Sequence, residues 1–262
     1  MYPYLFGNEK IPMYGVCFII GIVASLLLLL FYIRKRSDKV TKDDTLYAAC
    51  FALVGGILGA KLLSILTSIN FIKEYHIGIV DIIRNGFVFY GGLIGGFLGY
   101  FIYGKVYKIP VLELTDQGAQ VLPLGHAFGR LGCFCSGCCY GRPTDSFLGV
   151  IYTHPSDSLT PTGVKLLPTQ LFEASYCFII FAVLFLINKK KKLTTGVNTT
   201  IYVVSYAICR FINEFFRYDS ERGFLLGLST SQWISMILLL GISLYWFINF
   251  SKNKLNRRKI YE

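Results

Sequence analysis

Charge is scarce in this sequence. Asp, Glu, Lys and Arg make up 16 % of its 262 residues, against 54 % hydrophobic residues, and aromatics alone reach 16 %. A soluble domain of this size carries about a quarter charged residues, and a disordered chain carries more charge and fewer aromatics. Both readings are excluded, and with them a collagen-like chain or a soluble disulfide scaffold. Acidic groups are scarcer than basic ones, 15 against 26, which leaves a net charge of +11. That excess is no nucleic-acid footprint, because the basic residues sit between apolar runs rather than in one patch; nucleic acid is not an expected partner. The sequence has no low-complexity stretch, linker or internal repeat, so residues 1–262 read as one membrane-embedded domain. The N-terminal stretch, with Lys10 as its basic residue, lacks a small-residue cleavage site and does not read as a removable signal peptide.

Apolar runs of helical length are what the sequence does have. A bilayer core takes about 20 such residues per helix, and seven runs qualify: Met13–Ile33, Leu46–Leu66, Phe87–Gly104, Ile109–Gly129, Pro168–Ile187, Val197–Phe216 and Leu228–Phe250. Separated runs of this length argue against an outer-membrane barrel and against a single anchor. The expected fold is an all-α integral membrane protein of seven transmembrane helices with a small external loop region. The fourth run is the most polar, with Glu113, Asp116, Gln117, Gln120 and His126, groups that in a membrane face a bundle interior or a wet cavity. Sixteen of the 26 basic residues, including Arg34–Arg36, Lys105, Lys108, Lys189–Lys192 and Arg257–Lys259, fall on one side if every run crosses once. Positive loops stay in the cytoplasm, which predicts an external N-terminus and a cytoplasmic C-terminus. The external segments are then Ile69–Gly86, Arg130–Leu167 and Arg217–Gly227.

Chemistry concentrates near that outer side. Arg130 stands in the run Gly125–Gly141 and Arg210 in C-R-F-I-N-E-F-F-R, Cys209–Arg217. A guanidinium keeps its charge, and its planar fork matches a phosphate or carboxylate with two parallel hydrogen bonds. Snorkelling to lipid headgroups is the plainer role for an arginine at a helix end. Arg210, Glu214 and Arg217 are spaced one turn apart on one face, so Glu214 can orient an arginine. Gly55, Gly56 and Gly59, and Gly91, Gly92, Gly95, Gly96 and Gly99, mark closely packed helices, with Gly91 and Gly92 beside Tyr90 also able to let a ligand reach the backbone. Cys133, Cys135, Cys138 and Cys139 crowd together without the second, separated ligand pair typical of zinc sites; disulfides or free thiols are the alternatives. Histidine is rare, three in all. His126 lies one helical turn before Arg130 and is the best-matched general base, with an ordinary pKa of about 6.5, or else a hydrogen-bonded histidine inside the bundle. His76 and His154 read as solvated loop residues.

With these residues in view, the sequence resembles the bacterial prolipoprotein diacylglyceryl transferase family. The resemblance rests on M-Y-G at Met13–Gly15, Y-G-G-L-I-G at Tyr90–Gly95, G-R-L-G-C-F at Gly129–Phe134 with Gly141 closing the motif, P-T-Q-L-F-E at Pro168–Glu173, and R-F-I-N-E-F-F-R at Arg210–Arg217. It implies transfer of the diacylglyceryl group from phosphatidylglycerol to the lipobox cysteine of a preprolipoprotein, in the bacterial inner membrane, by a monomer without metal or organic cofactor. Arg130 and Arg210 match the family's essential arginines, Tyr14 its first-span tyrosine, Gly141 its motif glycine, and Glu214 and Arg217 a supporting acid and second arginine. Gly91, Gly92 and Cys133 fall in the substrate-binding motifs. The sequence departs from the family pattern at Tyr90, where histidine is usual, at Cys133 in place of asparagine, and at Cys138 in place of glutamate. His126 is the expected replacement base, because Tyr90, at the catalytic position where the family has histidine, is a poor base at neutral pH. Competing readings are a family variant with another acceptor, a non-enzymatic anionic-lipid binder or transporter, and a thiol oxidoreductase.

Overall fold

A computed structural model describes residues 3–7, 11–31, 39–68, 88–156, 159–190, 193–218 and 223–258. The predicted outer segment Ile69–Gly86 with His76, the start of the third run, and the basic residues Lys10, Arg34–Arg36, Lys191, Lys192 and Lys259 lie outside the described residues. Among the described residues the chain forms eight α-helices: α1 (Met13–Phe31), α2 (Lys42–Thr67), α3 (Phe89–Val106), α4 (Val111–Gly118), α5 (Leu122–Ser136), α6 (Thr169–Lys190), α7 (Val197–Asn213) and α8 (Thr230–Arg258). Four segments, α1, α2, α6 and residues Thr230–Ser251 of α8, are long and apolar enough to cross a membrane by length and composition. Large apolar side chains such as Leu240, Phe247 and Phe250 stand exposed on α8, as lipid-facing surface requires. The protein is a mostly helical membrane protein.

Two compact units divide the chain, Leu29–Gly118 and the combination of Met1–Leu28 with Ala119–Glu262. In the first, Thr41 opens α2 with a reciprocal capping box: its Oγ1 accepts from the Asp44 amide at 3.0 Å, and Asp44 accepts from the Thr41 amide at 2.7 Å. Helices α2 and α3 then pack along the glycine seam read from the sequence. A Cβ added to Gly95 would come within 2.9 Å of Gly59 Cα, and one on Gly91 within 2.6 Å of Leu63 Cβ. Membrane helices lack a hydrophobic force between them, so this close approach and its dispersion energy hold the pair. Tyr103 donates to Asp44 at 3.1 Å, and Val40, Ala48, Tyr103 and Leu114 form the unit's core.

The expected fourth span, Ile109–Gly129, is two helices. Pro123 is the physical reason: it has no amide hydrogen to give residue 119 and its ring clashes there, so it belongs in the first turn of a new helix, where it sits in α5. The break falls where the chain passes from one unit to the other, and α5 continues to Ser136, well beyond the expected end at Gly129.

The second unit is fastened by buried polar pairs. Asn188 on α6 and Asn198 on α7 exchange amide hydrogen bonds of 3.0 and 3.1 Å. Trp246 on α8 donates to Thr200 on α7 at 2.9 Å. Two short antiparallel pieces complete it. Strands β1 (Val150–Ile151) and β2 (Lys165–Leu166) pair Val150 with Leu166 and rest on Tyr140 and Tyr152. Strands β3 (Phe224–Leu225) and β4 (Leu228–Ser229) close through Leu226 and Gly227, both at positive φ as a tight hairpin demands.

Candidate active site

One buried carboxylate organises the site. Glu173 stands on the first turns of α6 with its side chain 2 % exposed. Its Oε1 meets Arg130 Nε at 3.1 Å and His126 Nε2 at 3.6 Å, and accepts from the Tyr206 hydroxyl at 2.9 Å. Its Oε2 meets Arg210 NH1 at 3.4 Å. Three helices supply these groups through the simplest helical spacing: His126 and Arg130 are four apart on α5, as Tyr206 and Arg210 are on α7.

The face predicted for Arg210, Glu214 and Arg217 is present, with a change of helix type. Helix α7 ends at Asn213 and tightens to a 3₁₀ turn over Glu214–Phe216. Arg210 NH2 meets Glu214 Oε2 at 2.8 Å, while Arg217 NH1 lies 3.8 Å from the same oxygen. Arg210 NH2 also donates to Ser231 on α8 at 3.0 Å. Among the described residues the cluster gathers three guanidinium groups and two carboxylates in a buried place.

Tyr14 and Gly141 are held against this cluster by backbone. A Cβ on Gly132, two residues after Arg130 on α5, would lie 3.1 Å from Tyr14 Cα, so Tyr14 on α1 is pressed onto the G-R-L-G motif. Gly141 pairs with Arg217 in a β-bridge, and a Cβ there would lie 2.7 Å from the Phe216 carbonyl oxygen. The glycine therefore seats the backbone that carries Arg217.

Cysteine sulfur forms the third feature. Cys133, Cys138 and Cys139 bring their Sγ atoms within 4.8 Å of one another, and Arg130 NH1 points to Cys139 Sγ at 3.9 Å. The P-T-Q motif fixes the backbone beneath them: Gln170 Nε2 donates to the Cys138 carbonyl at 2.5 Å and Thr169 Oγ1 to that of Cys139 at 2.8 Å. Tyr152, whose phenol burial pushes up to about 12, stays neutral and donates to Gln170 Oε1 at 3.2 Å. All eight cysteines are free thiols here.

The unit thus assembles Tyr14, His126, Arg130, Cys133, Gly141, Arg210, Glu214 and Arg217. Tyr90, Gly91 and Gly92 lie on α3 in the other unit, and the Tyr90 side chain is outside the described residues. His126 is held from three sides: besides Glu173, its Nδ1 lies 3.4 Å from the Tyr202 hydroxyl, and its ring lies 4.8 Å from that of Tyr206. Glu173, Tyr206 and Ser231 were not among the expected site residues. A signal for Glu173 existed, since an acid inside the apolar run Pro168–Ile187 is costly unless it is partnered.

Comparison with known proteins gives the arrangement a lineage. The sequence model described as prolipoprotein diacylglyceryl transferase matches residues 3–248. The chain belongs to the prolipoprotein diacylglyceryl transferase family. Among its relatives, the phosphatidylglycerol–prolipoprotein diacylglyceryl transferase 2 of Clostridium perfringens is 38 % identical over 246 residues, covering 94 % of this chain and 93 % of the relative. The transferase of Clostridium tetani is 37 % identical, covering 95 % and 97 %. That of Dehalococcoides mccartyi is 32 % identical, covering 89 % and 87 %. The family match covers residues of both compact units.

Proposed function

We propose that this protein transfers the diacylglyceryl group of phosphatidylglycerol to the lipobox cysteine thiol of a preprolipoprotein, forming a thioether and releasing glycerol phosphate. The observation that carries the reading is the convergence of Arg130 and Arg210 on the two oxygens of Glu173, at 3.1 and 3.4 Å. Displacement at a glycerol carbon builds negative charge on a departing phosphate, and fixed guanidinium groups in a water-poor place stabilise that charge most effectively. Glu173 is a positioning residue: it meets both forks and fixes where they stand. Glu214 and Arg217 extend the same network, and Tyr14, Cys133 and Gly141 shape the binding surface for lipid and peptide. His126 takes the proton of the acceptor thiol.

In this reading one membrane-embedded domain crosses the bacterial inner membrane seven times, with the N-terminus outside and the lysine-rich ends in the cytoplasm. It acts as a monomer on lipid drawn sideways from the bilayer. The test is reconstitution with phosphatidylglycerol and a lipobox peptide, followed by peptide mass. Gain of one diacylglyceryl unit with equimolar glycerol phosphate is expected; an unmodified peptide beside bound lipid would contradict the proposal.

A further inference from the structure

Four cysteines in seven residues form a poor zinc motif along the chain, yet the backbone folds three of them onto one point. Gly137 caps α5 in the left-handed conformation (φ 86) and Cys139 repeats it (φ 61), so the chain reverses and returns Cys138 and Cys139 over Cys133. The three Sγ atoms lie within 4.8 Å of one another. Sulfurs sharing one zinc ion at about 2.3 Å in tetrahedral geometry stand roughly 3.8 Å apart, so rotation of the thiol side chains closes the remaining gap. Cys135, between them in sequence, is directed elsewhere and interacts with Cys17.

We propose that Cys133, Cys138 and Cys139 hold one thiophilic divalent cation of the zinc class, with a fourth position open to an incoming thiol. Three sulfur ligands and one open position are the pattern of a catalytic rather than a structural site. All three cysteines are partly exposed, which leaves a path for that fourth ligand. Three thiolates around a divalent cation carry one net negative charge, and Arg130 NH1 stands 3.9 Å from Cys139 Sγ, a cationic neighbour that favours the thiolate form. The supports from Gln170 and Thr169 hold the ligand backbone in place before any ion arrives. Cation binding needs only these residues; the assignment of the fourth position to the acceptor thiol rests on the transferase reading. There, coordination frees the thiol proton to His126. The sulfur then bonds to the glycerol carbon, the carbon–oxygen bond to phosphate breaks, and its electron pair leaves with glycerol phosphate. No oxidant or reductant is consumed.

The test is a Co²⁺ titration of the purified, phosphine-reduced full-length protein. One equivalent should bind with a thiolate-to-cobalt charge-transfer band that Zn²⁺ abolishes. Cys133→Ser, Cys138→Ser and Cys139→Ser should each weaken binding by more than about tenfold, while Cys135→Ser and Cys50→Ser leave it unchanged. Zinc-edge X-ray absorption on the loaded wild-type protein needs no variant and should report three protein sulfur neighbours. Absence of the band, undiminished binding in Cys139→Ser, or an anaerobically purified chain two hydrogens light with these cysteines disulfide-linked would overturn the site. A lipobox peptide should shift the cobalt band. No shift, or full transfer by chelator-stripped enzyme, would overturn the acceptor role. A shift without transfer in any metal state would support the site while contradicting the transferase reading.

Discussion

Replacing Glu173 by Gln keeps the shape of the side chain and removes its charge, leaving Arg130 and Arg210 buried beside each other without the carboxylate that now lies 3.1 and 3.4 Å from them. Their side chains are 14 % and 7 % exposed, so water can replace little of the lost attraction. Removing one partner of a buried ion pair typically costs about 3–5 kcal/mol, because the surviving charge stays desolvated. Arg130 is the charge left without its carboxylate, while Arg210 keeps Glu214 at 2.8 Å and the Tyr206 hydrogen bond survives on the amide oxygen, which places the expected loss in that range. Reversible unfolding in mixed micelles measures it. A cycle with Arg130→Gln separates the pair energy from the general cost of substitution: the double variant should be closer to wild type than the sum of the two singles. Glu173→Asp, which keeps the charge but shortens the reach, should recover part of the stability and a small part of the turnover. If Glu173→Gln unfolds within about 0.5 kcal/mol of wild type and keeps its turnover, Glu173 is not the anchor of the two arginines.

Other expectations follow from the same geometry. His126→Gln should cut turnover severely while phosphatidylglycerol binding stays near wild type, measured by steady-state kinetics beside lipid binding; unchanged turnover removes His126 as the base. Gly95→Leu should push α2 and α3 apart at a cost of at least about 1–3 kcal/mol, whereas Gly241→Ala, where a Cβ meets nothing within 4 Å, should be silent in the same unfolding assay. Gly141→Ala forces a Cβ to 2.7 Å from the Phe216 carbonyl oxygen, so it should displace Arg217 and lower turnover more than stability. Asn188→Leu should cost about 0.6–1.7 kcal/mol by removing both hydrogen bonds between α6 and α7 at Asn198, read in the same unfolding assay.

Periodic features of this fold are readable from the sequence, and features made by chain reversal are not. The apolar runs mark the helices, the Gly55, Gly59, Gly91, Gly95 and Gly99 spacing marks the α2–α3 seam, and the four-residue step from Arg210 marks its ion pair with Glu214. Pro123 carried the signal for the α4–α5 break, but the polar residues before it drew attention to a single polar span. Glu173 was visible as an acid in an apolar run; its partners come from α5 and α7, and no spacing along α6 names them. The sulfur cluster depends on left-handed backbone at Gly137 and Cys139, and a cysteine offers no hint that it will adopt that conformation.

The most direct measurement is phosphatidylglycerol-dependent transfer to a lipobox peptide in proteoliposomes by wild type, Arg130→Gln and Arg210→Gln, each first shown to be folded. Both substitutions should lower turnover by at least about 10²–10³-fold with little change in peptide affinity. Turnover within tenfold of wild type in either variant would mean that the two guanidinium groups do not hold the departing phosphate together.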